Sequence, residues 1–140
     1  MKPIVLDPSA AAAWVIPDEA NEAARDLYVQ ACDSEGVFHA PQLWSWEMGN
    51  LLVMGHVRKR LSPELVEQGL EMLALARISF DGPPTAHRQA QITRLALAHS
   101  LTYYDAAYLE LVLRLNGQLA SADKNLLAAA KACGIVCLTF

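Results

Sequence analysis

Three observations point to a three-layer α/β domain built on a parallel sheet. Short apolar runs rich in Ile, Val and Leu alternate with helical segments from one end of the chain to the other. The runs lack polar alternation, as strands buried on both faces do. Cap and turn residues stand at the junctions, and alternating strand and helix favours right-handed crossovers between parallel strands.

The first run, residues 3–6, ends at Asp7-Pro8, an N-cap followed by Pro at the first helical position, so a helix is expected over 9–16. A second helix is expected over 19–33, ahead of a strand at 37–40. A long helix follows over 42–60. Ser62-Pro63-Glu64 repeats the cap signal and opens a helix over 63–76. The strand at 77–80 is broken by Asp81-Gly82-Pro83-Pro84, after which helices are expected over 84–99 and 103–116. Asn116-Gly117 places Gly where a helix should stop, before a strand at 118–121. A last helix, 124–133, stops at Cys133-Gly134, ahead of a fifth strand at 135–138. No repeat, low-complexity tract or long linker interrupts this order, so residues 1–140 read as a single domain.

Composition narrows the function. At 140 residues the chain is long enough for a full core, and 54% of it is hydrophobic against 19% charged. Mean hydropathy is +0.19, which suggests a large interface with a second copy or a partner. No segment approaches the ~20 apolar residues of a membrane helix. Lys2 followed by the run from Ala10 to Ile16 imitates a signal peptide, but Asp7 and Pro8 lie inside it, so a cytoplasmic protein is expected. Cys32, Cys133 and Cys137 have no CxxC spacing and read as small buried residues. His39, His56, His87 and His99 are scattered, without a metal-binding motif. The net charge of −4 argues against a dedicated nucleic-acid-binding module more than against an enzyme with an acidic, cation-filled site.

Four acids carry the chemistry. Asp7 ends the first strand and Asp123 closely follows the fourth; if those strands are neighbours, both carboxylates project into the crevice where open α/β sheets bind ligands. Each has a plainer role as a helix cap or a first-turn acid. Asp105 fits a capping box with Thr102. It also lies over an apolar stripe of Leu101, Tyr108, Leu109, Val112 and Leu115, where a capping acid is less expected. Glu47 is flanked at helical spacing by Leu43, Trp44 and Leu51, and a Glu on such a stripe is costly unless paired or bound to a cation. Hard oxygen ligands of this kind suit Mg2+ or Mn2+ and phosphate chemistry, which points to a metal-dependent nuclease. Ser9 and Ser121 each stand two residues from one of these acids and could hold it in place, or serve as local turn hydroxyls.

The segments Ile4-Val5-Leu6-Asp7-Pro8-Ser9-Ala10, Ala40 to Leu52 around Glu47, Leu101 to Leu109 around Asp105, and Leu119 to Leu126 around Asp123 together resemble the PIN-domain ribonucleases. Within them the chain is most similar to the VapC-like toxins of bacterial toxin–antitoxin pairs. The resemblance spans the whole chain and implies a five-stranded parallel sheet, a homodimer, and a Mg2+ or Mn2+ site. It makes Asp7 and Asp105 the closest metal ligands, with Glu47 and Asp123 acting directly or through water and Ser121 orienting Asp123. It further implies RNA as substrate and a cognate antitoxin as partner, with DNA reached only through the antitoxin. The bulky Trp46 beside Glu47 and the short Arg58-Lys59-Arg60 run are departures that remove no catalytic position.

The expected chemistry is hydrolysis of an RNA phosphodiester, with Arg58, Lys59, Arg60, Arg88 and Lys124 guiding the backbone. Arg58 to Arg60 equally suit a solvated helix end. Tyr103, Tyr104 and Trp44 have the shape to stack on bases, although core or dimer packing accounts for them as well. The alternative is a non-catalytic dimeric interaction module of the same fold, which has no need of all four acids. A receiver-type phospho-acceptor domain would want paired acids after the first strand, and Asp7 stands alone.

Overall fold

The computed structural model describes residues 2–140. Its elements are β1 (Ile4–Leu6), α1 (Pro8–Val15), a 3-10 turn (Pro17–Glu19), α2 (Glu22–Asp33), β2 (Phe38–Pro41), α3 (Leu43–Val57) and α4 (Pro63–Leu75). They continue with β3 (Ile78–Asp81), α5 (Ala86–His99), α6 (Tyr103–Leu115), β4 (Gln118–Ser121), α7 (Lys124–Ala132) and β5 (Cys137–Thr139). The five strands form one parallel sheet in the order β3-β2-β1-β4-β5. The chain therefore winds outward from β1 to β3, crosses back to β4, and winds outward again. That reversal leaves β1 and β4 side by side, with Leu6 opposite Ala120. Right-handed crossovers place α1–α4 on one face and α5–α7 on the other. The packing agrees: α1 lies against α2, α3 and α4, and α6 against α5 and α7.

Burial is graded across the sheet. Val5, Leu6, Phe38, Ala40, Leu119 and Ala120 on the three central strands are fully buried. The edge strands β3 and β5 are only half covered, so the expectation of strands buried on both faces holds for the centre alone. On one face, Ala10, Ala11 and Ala12 let α1 lie close to the sheet, and Trp14 closes over α2 by donating its Nε1 hydrogen to the Ala24 carbonyl at 3.0 Å. Tyr28 ties α2 to α4 through a 2.8 Å bond to the Met72 carbonyl.

Local chemistry moved several boundaries. The helix expected from residue 19 starts at Glu22, because Asn21 caps it by accepting the Ala24 N–H at 2.8 Å and residues 17–19 form a separate 3-10 turn. The helix expected to reach residue 60 stops at Val57. Lys59 turns left-handed (φ 61°), and the Arg60 and Leu61 amides both return to the Gly55 carbonyl. The last strand begins at Cys137 rather than 135, since the Ile135 amide is spent closing α7 on the Ala130 carbonyl. After α6 it is Asn116, not Gly117, that adopts the left-handed conformation (φ 52°).

Gly117 is required for a different reason: an added Cβ would sit 2.5 Å from the Pro3 carbonyl oxygen, which accepts the Gln118 amide. Gly117→Ala must push β1 and β4 apart and should lower unfolding stability by about 1–3 kcal/mol, the usual cost of overpacking. Gly49→Ala, on α3 with open space around its Cβ, should instead raise it by about 0.5–1 kcal/mol through helix propensity. Chemical denaturation of both variants checks the pair.

Candidate active site

β1 and β4 flank the point where the chain reverses its winding, and their carboxyl ends open the crevice that such sheets use for ligands. Asp7 immediately follows β1 and caps α1, its carboxylate accepting the Ala10 N–H at 3.1 Å. Asp123 caps α7, accepting the Leu126 N–H at 3.0 Å. Both cap roles are thus real, and the two junctions lie close enough for the charge of Asp123 to act on Asp7. Glu47 projects from the first half of α3 and Asp105 from the first turn of α6, where Thr102 caps the helix by accepting the Asp105 N–H at 3.1 Å.

Asp7 is the innermost of the four, at 3% exposure. Ser9 donates to it at 2.7 Å and Ser121 at 2.7 Å. Each hydroxyl is itself held by a backbone amide: the Ala122 N–H donates to Ser9 at 2.8 Å, and the Asp123 N–H to Ser121 at 3.0 Å. Ser121 therefore orients the side chain of Asp7, and touches Asp123 only through its main chain. A carboxylate offers about four lone-pair directions, and Asp7 receives three hydrogens here, so one direction remains for a further partner.

The four acids act on one another. Burial pushes the Asp7 carboxyl above its ordinary value against the pull of its hydrogen bonds, and the charge of Asp123 adds to the rise. Burial also raises Glu47, opposed by a 2.7 Å bond from the Tyr108 hydroxyl and reinforced by the charges of Asp105 and Asp7. Asp105 is raised by burial and then by Asp123, with the Thr102 hydroxyl opposing. One acid elsewhere shows the contrast. Glu110 is 7% exposed, but Arg114 grips it at 2.8 Å, and the same guanidinium reaches Asp81 at 2.5 Å. Among the described residues, no Lys or Arg forms a salt bridge with Asp7, Glu47, Asp105 or Asp123.

The chemistry of such a donor set suits a hard divalent cation, which would offset the mutual repulsion. Among the described residues, no three His, Cys, Asp or Glu side chains close on a single point. The cluster is open, which suits Mg2+, an ion that keeps several waters and needs only one or two direct carboxylates. Beside Glu47 a groove of about 410 Å³ runs along α3 toward Arg58.

The structure sorts the other residues singled out in the sequence. Arg60 pairs with Glu19 at 2.9 Å and Asp18 at 3.2 Å, and Arg88 with Asp81 at 2.6 Å, so the charge of each is partly offset within the chain. Arg58, Lys59 and Lys124 are exposed and outside these ion pairs. Trp44 is core, while Tyr104 and Trp46 are exposed. The three cysteines are free thiols. Tyr108 is the site residue that sequence reasoning passed over as one more apolar position. Its place three residues after Asp105, on the same helix face, was the available signal.

Among the described residues, no helix is long and apolar enough to cross a membrane. The PIN domain family matches residues 4–132. Ribonuclease VapC3 of Pyrobaculum aerophilum is 30% identical over 132 residues, covering 88% of this chain and 91% of that protein. Ribonuclease VapC1 of Mycobacterium tuberculosis is 29% identical over 118 residues, covering 84% and 86%. The crystal structure of PAE2754 from Pyrobaculum aerophilum superposes with a TM-score of 0.71 at 23% identity, over 97% of this chain and 83% of that one, which shows a shared fold. With the family matched over nearly its whole length and the five-stranded parallel sheet in place, the chain belongs to the PIN domain family.

Proposed function

We propose that this protein is a Mg2+- or Mn2+-dependent ribonuclease that hydrolyses RNA phosphodiester bonds as the toxin of a toxin–antitoxin pair. The observation that carries the reading is four carboxylates gathered near the carboxyl ends of β1 and β4, none of which, among the described residues, forms a salt bridge with a Lys or Arg. A non-catalytic module would gain nothing from that arrangement. The names of the two ribonuclease relatives support RNA as the substrate.

Asp7 and Asp105 would hold the cation, and Glu47 and Asp123 would complete the site directly or through water. A divalent cation bound there supplies Lewis acidity, lowering the pKa of water and offsetting phosphate charge. Ser9 and Ser121 fix the Asp7 carboxylate so that its free lone pair faces the crevice. Tyr108 fixes Glu47 and keeps one of its oxygens occupied, leaving the other to accept a proton. Burial-raised basicity at Glu47 helps it in that role. A cognate antitoxin would silence the enzyme in the cytoplasm, and DNA would enter only through that partner.

The protein is further read as a homodimer. Trp46 (76% exposed) and Tyr104 (61%) line one apolar cleft, and Leu97 on α5 stands 80% exposed. A single copy leaves these side chains in water.

Three measurements test this reading. Purified protein should cut single-stranded RNA with Mg2+ or Mn2+ and not in chelator. Asp7→Asn should lose nearly all of that activity, and Ser121→Ala should lose roughly 10–100-fold, as carboxylate-positioning groups do. Equal cleavage in chelator would refute the metal role. Sedimentation at micromolar concentration should give a dimer, and Trp46→Glu should move it toward monomer.

The third concerns stability. Glu47→Gln keeps an acceptor for Tyr108 but removes a charge. An acid whose folded pKa is raised destabilises the fold once ionised, so its penalty is absent well below the ordinary carboxylate value and complete above the folded one. In chelator Glu47→Gln should therefore melt higher than wild type at pH 7 and lose that advantage as the pH falls through 4. Saturating Mn2+ should reverse the order, because wild type gains about 2.7 kcal/mol at a hundredfold excess over Kd and the variant gains less. Thermal melts at both pH values, with and without the ion, read out all four arms.

A further inference from the structure

The groove beside Glu47 has a chemical direction. Its floor is one face of α3, where Glu47, Asn50, Met54 and Arg58 recur at helical spacing. Arg58, the C-cap of α3, comes eleven positions after Glu47, about 16 Å at ~1.5 Å per residue. The opposite wall carries one acid, Glu19, and Arg60 neutralises it at 2.9 Å. Arg58 is thus the groove's one cation outside an ion pair, and the helix end fixes its backbone. Its own amide bonds to the Met54 carbonyl, and the next residue turns left-handed.

A ligand lying in this groove meets the Glu47 carboxylate at one end and the Arg58 guanidinium, outside any ion pair, at the other. A single RNA strand suits both ends, because its negative charge repeats. One phosphate can sit at the cation-loaded carboxylates while another, a few nucleotides along, reaches Arg58. An acidic peptide carries repeating charge too, and the polyglutamate arm of the test below separates it from RNA. Resting on the ribonuclease reading above, we propose that Arg58 anchors a phosphate of the RNA strand at a distance from the bond being cut, so that α3 sets the polarity in which the strand lies. The other candidate cations are excluded by their partners or their place. Arg60 and Arg88 are ion-paired, and Lys124 and Lys59 do not line the groove.

The test uses fluorescein-labelled single-stranded RNA with all four carboxylates intact and Ca2+, another hard cation for oxygen ligands, in place of Mg2+ to slow cleavage, with anisotropy read across a KCl series. Neutralising one phosphate contact on a single strand changes the slope of log affinity against log salt by about 0.7. Arg58→Ala should lower the slope by that amount and Arg58→Lys should retain it. Lys131→Ala should leave it unchanged, since Lys131 lies in the last turn of α7, at the opposite end of that helix from Asp123. In the otherwise wild-type enzyme the loss with Arg58→Ala should appear in KM, severalfold, rather than in kcat. A mere helix-end role for Arg58 would move the melting temperature and not the slope. An unchanged slope, or an equal fall with Lys131→Ala, overturns the proposal. So does an Arg58→Ala variant that binds RNA normally but loses binding to a polyglutamate peptide, which assigns the groove to a protein partner. If wild type binds no RNA at all in Ca2+ and cuts none in Mg2+, the ribonuclease reading falls and takes this one with it.

Discussion

A carboxylate almost wholly out of water is the constraint on which the rest of this structure turns. Asp7 stays there because donors from two different strand–helix junctions converge on it: Ser9 and the Ala10 amide from its own, Ser121 from the neighbouring one. An ionised carboxylate buried without donors costs several kcal/mol. The same serines accept amides of residues 122 and 123, so neither junction can shift alone. The register that pairs Leu6 with Ala120 is what brings Ser121 to Asp7, and a slip of one residue would turn that serine to the other face of the sheet. Close approach at the other end of the pair, where Gly117 lies against Pro3, fixes the same register.

The chain handles its acids in two ways, and the difference separates framework from chemistry. Asp81 and Glu110 join the end of β3 to α5 and α6 through Arg88 and Arg114. Arg114, serving both acids, has its own pKa held above the usual arginine value by them. This network satisfies every charge it contains. At the carboxyl ends of β1 and β4 the fold instead brings four acids within reach of one another's fields and supplies hydroxyls and amides only. Hydroxyls orient a carboxylate without cancelling it. The sheet thus delivers net negative charge to one place and holds it in a fixed geometry.

Much of this was legible in the sequence, for reasons that are physical. Asp7 and Ser62, each before a Pro at the first helical position, mark the starts of α1 and α4, and Thr102 caps α6 as its capping-box pattern predicts. Glu47 and Asp105 stood out because a carboxylate on an apolar stripe breaks a periodic pattern, and Asp7 and Asp123 because each closely follows an apolar strand. What stayed hidden depended on contacts between distant residues. Tyr108 keeps the pattern, and only the approach of α3 to α6 gives its hydroxyl a partner in Glu47. The role of Ser121 was visible as a neighbour of Asp123, but the strand order decides that its hydroxyl faces Asp7. Arg60 and Arg58 look alike in the run, and a turn at Lys59 sends one to Asp18 and Glu19 and leaves the other to the groove. Edge exposure of β3 and β5 likewise follows from strand order, which apolar runs do not encode.

That last distinction bears on how an acidic protein meets an anionic polymer. A net charge of −4 spread over the whole surface acts weakly on a strand in the groove, because charges beyond about 8 Å are screened at physiological ionic strength. What the strand experiences is the few groups lining its path. Along α3 those groups change sign, from Glu47 at the carboxylate end to Arg58 at the other, with Glu19 silenced by Arg60 between them. Without a cation the carboxylate end repels a phosphate. With one loaded, both ends attract. If the groove takes an RNA strand as proposed, the pairing of each acid and base along α3 would matter more to its binding than the overall charge.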